Sequence, residues 1–294
     1  MITISPGETT VGFIGLGVMG KSMAGHILDA GYALHVYTRT RSGADDLVSR
    51  GAVWENTVGE LSRKCDAVIT IVGFPADVEE VYLGDDGILN HMKEGGIVAD
   101  MTTSSPDLAV TLSDNAAGKG IHSLDAPVSG GDLGARNAAL SIMVGGDKAV
   151  FDAMLPLFEV MGKNIVYQGK AGSGQHTKMA NQIAIASGML AVCESLVYAK
   201  KAGLDPETVL QSIGQGAAGS WSLNNLGPRM IKGDMEPGFF IKHFIKDMNI
   251  AAQSSRELGL ETPGLDLTLS IYRRMAEKGW ENKGTQALFK HFEE

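Results

Sequence analysis

Lys178 places an amine, a group able to donate or accept a proton, near the start of an apolar helical segment. The segment begins Gly172-Ser-Gly-Gln-His-Thr-Lys178-Met-Ala-Asn181-Gln182, and apolar residues from Met179 onward recur at steps of four and three, as on one face of a long helix. On the same period a polar line forms from Gln175, Lys178, Asn181 and Gln182. A buried helix tolerates an ammonium group poorly unless the charge has a partner or a purpose. The alternative is a lysine that extends to solvent from the helix start, and this stretch alone does not decide between them.

A glycine-rich turn near the N-terminus is the second chemical signal. A strand over Thr10 to Ile14 leads into Gly15-Leu16-Gly17-Val18-Met19-Gly20, a helix from Ser22 to Ala30 and a strand from Ala33 to Tyr37. In this context the first glycine permits the tight turn, the second lets a pyrophosphate approach the backbone, and the third lets the helix pack on the strand. The alternative is an ordinary glycine turn. The surrounding strand, helix and strand favour a dinucleotide site made by all six residues.

The residues after the second strand bear on which dinucleotide binds. An acidic residue there would bind the ribose hydroxyls of NAD, but this chain has Thr38-Arg39-Thr40 and no acid until Asp45. Arg39 with its two threonines could bind a 2′-phosphate, so we predict a preference for NADP(H), with NAD possible. The alternative is that these arginines are solvated charges that stack loosely on adenine.

A loop of small residues follows a later strand and could meet a substrate. Asp125 is followed, after Ala126, by Pro127-Val128-Ser129-Gly130-Gly131, which exposes backbone amides and one hydroxyl group. Such a concave set of donors suits a carboxylate. A plain glycine turn is the alternative.

These residues need elements to position them, and the chain predicts two domains. Strand and helix patterns alternate through the first half, which predicts a Rossmann-type α/β domain over residues 1–171. Since ligands bind at the carboxyl ends of such strands, we expect Phe74, Pro75 and Thr103 near a nicotinamide ribose, although loop geometry alone could explain each of them. Helical patterns fill residues 172–294, predicting an all-α domain joined through one long interdomain helix that enters it from a cleft beside Lys178.

A helical segment later in the second domain carries two lysines. Lys242 and Lys246 fall one turn apart, with Asp247 next, and either lysine could reach a cofactor. A solvated lysine face is the alternative. The apolar rings of the long helix, around Ile183 to Cys193, predict a homodimer or homotetramer, and a 31 kDa monomer in sedimentation would refute that.

Composition excludes several other classes of protein. The net charge of −9 argues against general nucleic-acid binding, and the composition is that of a soluble globular protein without a metal-ligand cluster. Cys65 and Cys193 are expected to be reduced structural thiols in a cytoplasmic protein. We expect no secretory signal and no apolar stretch near the roughly 20 residues that cross a bilayer.

Taken in order, the motifs resemble those of the β-hydroxyacid dehydrogenases, the group that contains 3-hydroxyisobutyrate dehydrogenase, tartronate semialdehyde reductase and the glyoxylate and succinic semialdehyde reductases. The resemblance covers nearly the whole chain and is carried by Gly15 to Gly20, Asp125 to Gly131, Gly172 to Asn181 and Phe239 to Asp247. It implies that Lys178 is catalytic, that Asn181 helps to fix the substrate and that Ser129 and Gly130 bind its carboxylate, with Gly131 beside them. It also implies cofactor contacts for Thr103 and Lys246. Gln182 stands where the family often has a second asparagine, and Thr38-Arg39-Thr40 is similar to the Asn-Arg-Thr of its NADPH-using reductases.

The resemblance implies a hydride transfer between NADP(H) and a short acid that bears a hydroxyl, aldehyde or keto group. Lys178 would protonate the developing alkoxide, or in the oxidative direction take the hydroxyl proton as a neutral amine, which needs a pKa lowered by burial.

Three other classes of protein are alternatives to this function. Imine reductases are similar in fold but usually lack the lysine, and 6-phosphogluconate dehydrogenase needs a much larger helical domain. A non-catalytic dinucleotide-binding module on the same fold is the third, and a turnover assay separates it from an enzyme.

Overall fold

A computed structural model of the chain describes residues 3–293 and divides into two compact units. Unit 1 is Met1–Lys178 and unit 2 is Met179–Glu294. The sequence placed the domain boundary between residues 171 and 172, whereas the compact units divide after Lys178, inside a helix. The first turns of that helix thus belong to unit 1.

Unit 1 is an α/β domain whose sheet, within residues 3–293, has nine strands. The strands are β1 (Thr10–Ile14), β2 (Ala33–Tyr37), β3 (Val53–Trp54), β4 (Ala67–Thr70), β5 (Ile97–Asp100), β6 (His122–Asp125), β7 (Val128–Ser129), β8 (Leu140–Gly146) and β9 (Gly162–Gly169). The order β3-β2-β1-β4-β5-β6 is parallel throughout and is that of a dinucleotide-binding sheet. All residues of β4 and β5 are buried, as expected of parallel strands covered on both faces.

Helices connect and cover these strands. They are α1 (Gly20–Asp29), α2 (Asp45–Ser49), α3 (Val58–Lys64), α4 (Pro75–Leu83), α5 (Ile88–His91), α6 (Pro106–Ala117), α7 (Gly131–Arg136) and α8 (Lys148–Glu159). One apolar core spreads around β1, β2, α1 and α8, and a second lies around α3, α4 and α6. The α/β fold class predicted from the sequence is therefore confirmed.

Several short elements of unit 1 lay outside the sequence prediction. β3 has two residues and is defined by its pairing with β2, which no local pattern could reveal. The loop predicted to be a simple nest contains β7, which pairs antiparallel with β8, and is followed directly by α7. β8 also runs antiparallel to β6, so the sheet is mixed at this edge.

In the part of unit 2 that the structure describes, the regular elements are helices, apart from an isolated β-bridge between Phe240 and Gly284. After the long helix α9 (Ser173–Lys201) come α10 (Pro206–Ile213), α11 (Gly227–Ile231), α12 (Ile241–Glu257), α13 (Pro263–Glu277) and α14 (Leu288–Glu293). A π-helical turn at Ser222–Leu226 precedes α11, so the helical pattern is irregular in this region. Pro228 lacks the amide hydrogen that a regular helix would need there.

Helix α9 is the long helix that the sequence predicted, but it is more apolar than expected. Its 29 residues meet the length and composition of a membrane span, contrary to the expectation that no stretch would come close. That resemblance is weak, because core helices share these properties. Ala186, Cys193 and Leu196 of α9 lie in the apolar core of unit 2 together with α12 and α13.

Both cysteines are free and buried within these cores. Burial raises the pKa of the Cys65 thiol to about 12 and also raises that of Cys193. Both therefore stay protonated at neutral pH, as structural thiols do.

Candidate active site

The glycine-rich turn between β1 and α1 has the geometry of a phosphate-binding loop. Gly15 has a φ of +101°, and a Cβ there would lie 2.1 Å from the carbonyl oxygen of Ile71. A Cβ on Gly20 would lie 1.9 Å from the Gly15 carbonyl oxygen, so this glycine lets α1 begin close to the strand. At Gly17 a Cβ would meet nothing within 4 Å, which leaves open space beside the backbone. The turn therefore fits a pyrophosphate group at the N-terminus of α1.

The residues after β2 lie at the surface. The Arg39 side chain is 82% exposed, and its Nη1 atom lies 3.3 Å from Asp77 Oδ1 at the start of α4. An exposed pair of this kind contributes little stability, so the guanidinium can turn to another anion. Arg41 lies 5.8 Å from the ring centre of Trp54 instead. Both arginines are exposed, and Arg39 remains the residue predicted to bind a 2′-phosphate.

Lys178 is buried and lies against the loop predicted to bind a carboxylate. The residue is 6% exposed, and its Nζ atom donates a hydrogen bond of 2.8 Å to the carbonyl oxygen of Val128. Val128 directly precedes Ser129 in β7. The alternative of a lysine that extends to solvent is thereby excluded, and two motifs 50 residues apart in sequence meet in unit 1.

The small residues after Ser129 adopt conformations that need glycine. Gly130 has a φ of +126° and Gly131 a φ of +62°, both in the left-handed region. A Cβ on Gly131 would meet nothing within 4 Å, so open space adjoins the backbone here. Both positions therefore favour glycine, and they directly follow Ser129 in the chain.

Asp125 anchors the helix that carries Lys178. It ends β6 and is 5% exposed, and its two oxygens accept hydrogen bonds of 2.8 Å from the backbone amides of Gly172 and Gln175. Burial raises the pKa of Asp125, although these amides partly oppose that shift. A carboxylate at a helix N-terminus is favoured by amides that lack helical partners and by the helix dipole. Gly174 packs so closely here that a Cβ would lie 2.4 Å from the Met143 carbonyl oxygen.

Gln175 makes a second anchor at the same helix start. It is fully buried, its Nε2 atom donates to the carbonyl oxygen of Thr102 at 2.8 Å, and its Oε1 atom accepts from the amide of Ser104 at 3.0 Å. The first turn of α9 is therefore fixed to the ends of β5 and β6, one turn before Lys178.

A buried acid supports the end of β5. Asp100 Oδ1 accepts hydrogen bonds from Thr70 Oγ1 at 2.9 Å and from the amide of Thr102 at 3.0 Å. Burial raises the pKa of Asp100 to about 6, with these hydrogen bonds acting in the opposite direction. Its contacts tie β4 and β5 together just before Thr102, the residue that holds Gln175.

In unit 2 a chain of polar side chains connects two predicted site residues. Asn181 Nδ2 donates to Gln182 Oε1 at 2.7 Å, and Gln182 Nε2 donates to Asp247 Oδ2 at 2.6 Å. The other oxygen of Asp247 lies 2.9 Å from Lys246 Nζ. Lys242 points to a different partner, Asn282, at 2.8 Å. Of the two candidate lysines on α12, Lys246 is the one linked to Asn181.

The remaining predicted residues lie at strand ends. Phe74 and Pro75 follow β4 and begin α4, with Phe74 43% exposed, and Thr103 follows β5. Within residues 3–293 no group of three or more His, Cys, Asp or Glu side chains could hold a metal ion.

The sequence reading missed the anchoring roles of Asp125 and Gln175 and the link from Gln182 to Asp247. Gln175 carried a usable signal, since it precedes Lys178 by one turn on the polar line. Asp125 carried a weaker one, because it stands at a strand end where side chains face a crevice.

Comparisons with known proteins agree with this geometry. Residues 10–169 match the family model described as the NAD binding domain of 6-phosphogluconate dehydrogenase, and residues 172–292 match that described as the NAD-binding of NADP-dependent 3-hydroxyisobutyrate dehydrogenase. The chain is 58% identical to the uncharacterized oxidoreductase YkwC of Bacillus subtilis, covering 96% of this chain and 98% of that protein. It is 41% identical to the 2-hydroxy-3-oxopropionate reductase of Escherichia coli, covering 96% and 97%. The solved structure of Psf3 in complex with NADP+ and 2-OPP superposes with a TM-score of 0.89 at 26% identity, covering 96% of this chain and 99% of that one.

A parallel sheet of this order, its phosphate-binding turn and a helical second unit define an NAD(P)-dependent oxidoreductase that acts on hydroxy acids. The chain belongs to the β-hydroxyacid dehydrogenase family, as the resemblance of its motifs had predicted.

Proposed function

We propose that the protein transfers hydride between NADP(H) and a short hydroxy acid or semialdehyde that carries a carboxylate, with Lys178 as the group that exchanges the proton. The candidate substrates are of the 3-hydroxyisobutyrate, tartronate semialdehyde, glyoxylate and succinic semialdehyde types. The relative from Escherichia coli named 2-hydroxy-3-oxopropionate reductase supports this substrate class. The Psf3 structure, which contains NADP+, supports the cofactor.

The contact between Lys178 and the Val128 carbonyl oxygen is the observation that carries the proposal. It holds a buried ammonium group beside Ser129, where the carboxylate of a substrate would bind. A group fixed within hydrogen-bond reach of the reacting atoms is what acid catalysis requires. The carboxylate sets the orientation of the substrate, and orientation accounts for a large part of the rate in such reactions.

The residues then act as follows. The turn from Gly15 to Gly20 would hold a nicotinamide cofactor, which would supply or accept the hydride. The Ser129 hydroxyl group and the amides of Gly130 and Gly131 hold the substrate carboxylate. Lys178 gives a proton to the alkoxide oxygen as negative charge develops on it, and stabilises that charge before the transfer is complete. The resemblance implies that Asn181 would help to fix the substrate and that Lys246 would contact the cofactor.

Replacement of the lysine tests this mechanism. Lys178→Ala should lower kcat by roughly 10²- to 10⁴-fold, the usual range for general acid catalysis, because no other donor replaces the amine. The dissociation constant of NADPH, measured by fluorescence, should stay within about twofold, since binding of the dinucleotide depends on the turn after β1. Lys170→Ala, at an exposed position shortly before α9, serves as the matched control and should leave both values unchanged.

Substrates to assay are glyoxylate, succinic semialdehyde, tartronate semialdehyde and methylmalonate semialdehyde, each with both reduced cofactors. A Lys178→Ala enzyme that turns over within tenfold of the wild type would refute the assignment. Wild-type protein without turnover on the whole panel would instead favour the non-catalytic dinucleotide-binding module. The lysine itself argues against the imine reductase alternative, and self-association and a cytoplasmic location remain predictions.

The preference for NADP(H) depends on Arg39. Arg39→Ala should raise the KM for NADPH by about 10- to 100-fold, the value of one charge-assisted hydrogen bond, and leave the KM for NADH nearly unchanged. Arg41→Ala is the control, because Arg41 lies over Trp54. A wild-type enzyme with higher kcat/KM for NADH than for NADPH would contradict the proposal.

A further inference from the structure

Two amide side chains and a carboxylate form a buried chain in unit 2. Gln182 is fully buried and Asp247 is 2% exposed, while Asn181 is half-buried at the end of the chain. The hydrogen bonds from Asn181 to Gln182 and from Gln182 to Asp247 are 2.7 and 2.6 Å long. Asn181 and Gln182 lie next to each other on α9, whereas Asp247 comes from α12.

The chain has only one consistent direction. The Asp247 carboxylate, paired with Lys246, offers acceptors alone, so Gln182 must turn its NH₂ group toward it. The carbonyl oxygen of Gln182 then faces Asn181, which must present its own NH₂ group. A flip of either amide would bring two acceptors or two donors together in a buried place, which is unfavourable.

We propose that Gln182 is a positioning residue that fixes the orientation of the Asn181 amide, with the charge of Asp247 setting that orientation through it. This proposal rests on the function proposed above, in which Asn181 contacts the substrate. Fixing the amide determines which of its two branches carries the acceptor oxygen and which carries the remaining N–H group. A substrate therefore meets one arrangement of donor and acceptor instead of two.

The identity of residue 182 matters because of its reach. Gln182 spans from its neighbour on α9 to a carboxylate on α12, and an asparagine is shorter by one methylene group. Where the family often has asparagine, this chain uses the longer amide to make both contacts at once. Gln182 therefore supports Asn181 instead of replacing an asparagine that contacts the substrate.

A double-mutant cycle in the full-length protein tests the coupling. Gln182→Leu keeps a similar volume and removes the amide, and it should lower kcat/KM about tenfold when Asn181 is present. In the Asn181→Ala background the same change should cost less than about twofold, because residues that act through one another are not additive. Equal losses in both backgrounds would show that Gln182 is merely structural and would overturn the proposal.

A second buried glutamine provides the control. Gln286 is 1% exposed, and its Nε2 atom donates to the carbonyl oxygens of Asp234 and Glu236 at 3.1 and 2.9 Å. Gln286→Leu should lower the Tm as much as Gln182→Leu while leaving kcat/KM unchanged. A fall in kcat/KM in this control comparable with that of Gln182→Leu would overturn the proposal, since any loss of a buried amide would then suffice.

A readout without turnover keeps the two proposals separable. In protein labelled with ¹⁵N-asparagine, the side-chain NH₂ signals of Asn181 are identified by their loss in Asn181→Ala. These Asn181 signals should shift in Gln182→Leu. They should also shift in Asp247→Asn, because an amide at position 247 can both donate and accept and so no longer fixes the orientation of Gln182. They should not shift in Gln286→Leu. If the wild type turns over none of the substrates in the panel, the proposed function fails, but these signals still test whether Gln182 fixes the orientation of Asn181. Signals that stay in place in both variants would overturn it.

Discussion

Asn in place of Asp125 should loosen the helix that carries Lys178. Asp125 uses both carboxylate oxygens, one for the amide of Gly172 and one for that of Gln175, each at 2.8 Å. In Asp125→Asn one oxygen becomes an NH₂ group that faces another donor, so one charge-assisted hydrogen bond is lost. Such bonds contribute about 1.5–3 kcal/mol each. Part of that loss is offset because the neutral asparagine no longer places a charge in a buried position. We therefore expect the free energy of unfolding to fall by about 1–3 kcal/mol.

Asp125→Asn should also lower kcat, by more than its modest loss of stability would suggest. A misplacement of about 1 Å can cost roughly 10²-fold in rate, and Lys178 lies one turn beyond Gln175 on the loosened helix. The assay is steady-state kcat beside thermal unfolding. Asp147→Asn is the matched control, because Asp147 accepts from the amides of Ala149 and Val150 at the start of α8, away from Lys178. It should change the free energy of unfolding by only a few tenths of a kcal/mol, because asparagine caps a helix about as well as aspartate, and it should leave kcat unchanged.

One result would refute this reasoning about Asp125. If Asp125→Asn lost stability to the same extent as Asp147→Asn and kept kcat within about twofold of the wild type, the carboxylate would only cap a helix. The position of Lys178 would then depend on its own contact with Val128.

Two further predictions concern the cofactor turn and the buried acid of β5. Gly17→Ala should keep the Tm of the wild type but weaken NADPH binding at least about tenfold, because its methyl group would enter the open space that the pyrophosphate would use. Gly20→Ala should instead lower the Tm, because its Cβ would lie 1.9 Å from a backbone oxygen. Normal NADPH binding by Gly17→Ala would contradict the phosphate site. Burial raises the pKa of Asp100 from 3.8 to about 6, so its contribution to stability is complete below pH 3.8 and is lost as the pH rises through about 6. The free energy of unfolding of the wild type, measured with urea, should therefore fall by about 3 kcal/mol between pH 4 and 8 because of this group, and that part of the fall should be absent in Asp100→Asn. Identical pH profiles for the two proteins would contradict this.

Local patterns were enough to predict the framework of unit 1. The strand from Thr10 to Ile14, the turn through Gly20 and the strand from Ala33 to Tyr37 were all found, because each depends on neighbours in sequence. The starts of α4 and α10 also depend on local signals, because each has a proline in its first turn. The elements that were missed, such as the two-residue strand β3, exist through pairing with distant residues.

The candidate site was predicted as a set of residues but not as an arrangement. The sequence offered Lys178 and Ser129 as separate motifs, and only the contact with Val128 shows that they adjoin. The anchors could not be predicted for the same reason. Gly172 and Asp125 are 47 residues apart, and nothing in the local pattern of either residue specifies the other.

The polar line on α9 shows why helical periodicity alone does not predict the role of each residue. It predicted that Gln175, Lys178, Asn181 and Gln182 share one face, but it treated them as one group. The first two have their partners among the strand ends of unit 1, namely Thr102, Ser104 and Val128, whereas Asn181 and Gln182 connect to Asp247 on α12 of unit 2. A period of 3.6 residues reports only that a side chain points the same way as its neighbours. What each polar group does depends on the donor or acceptor that meets it, and for a buried amide that partner also decides which way the amide faces.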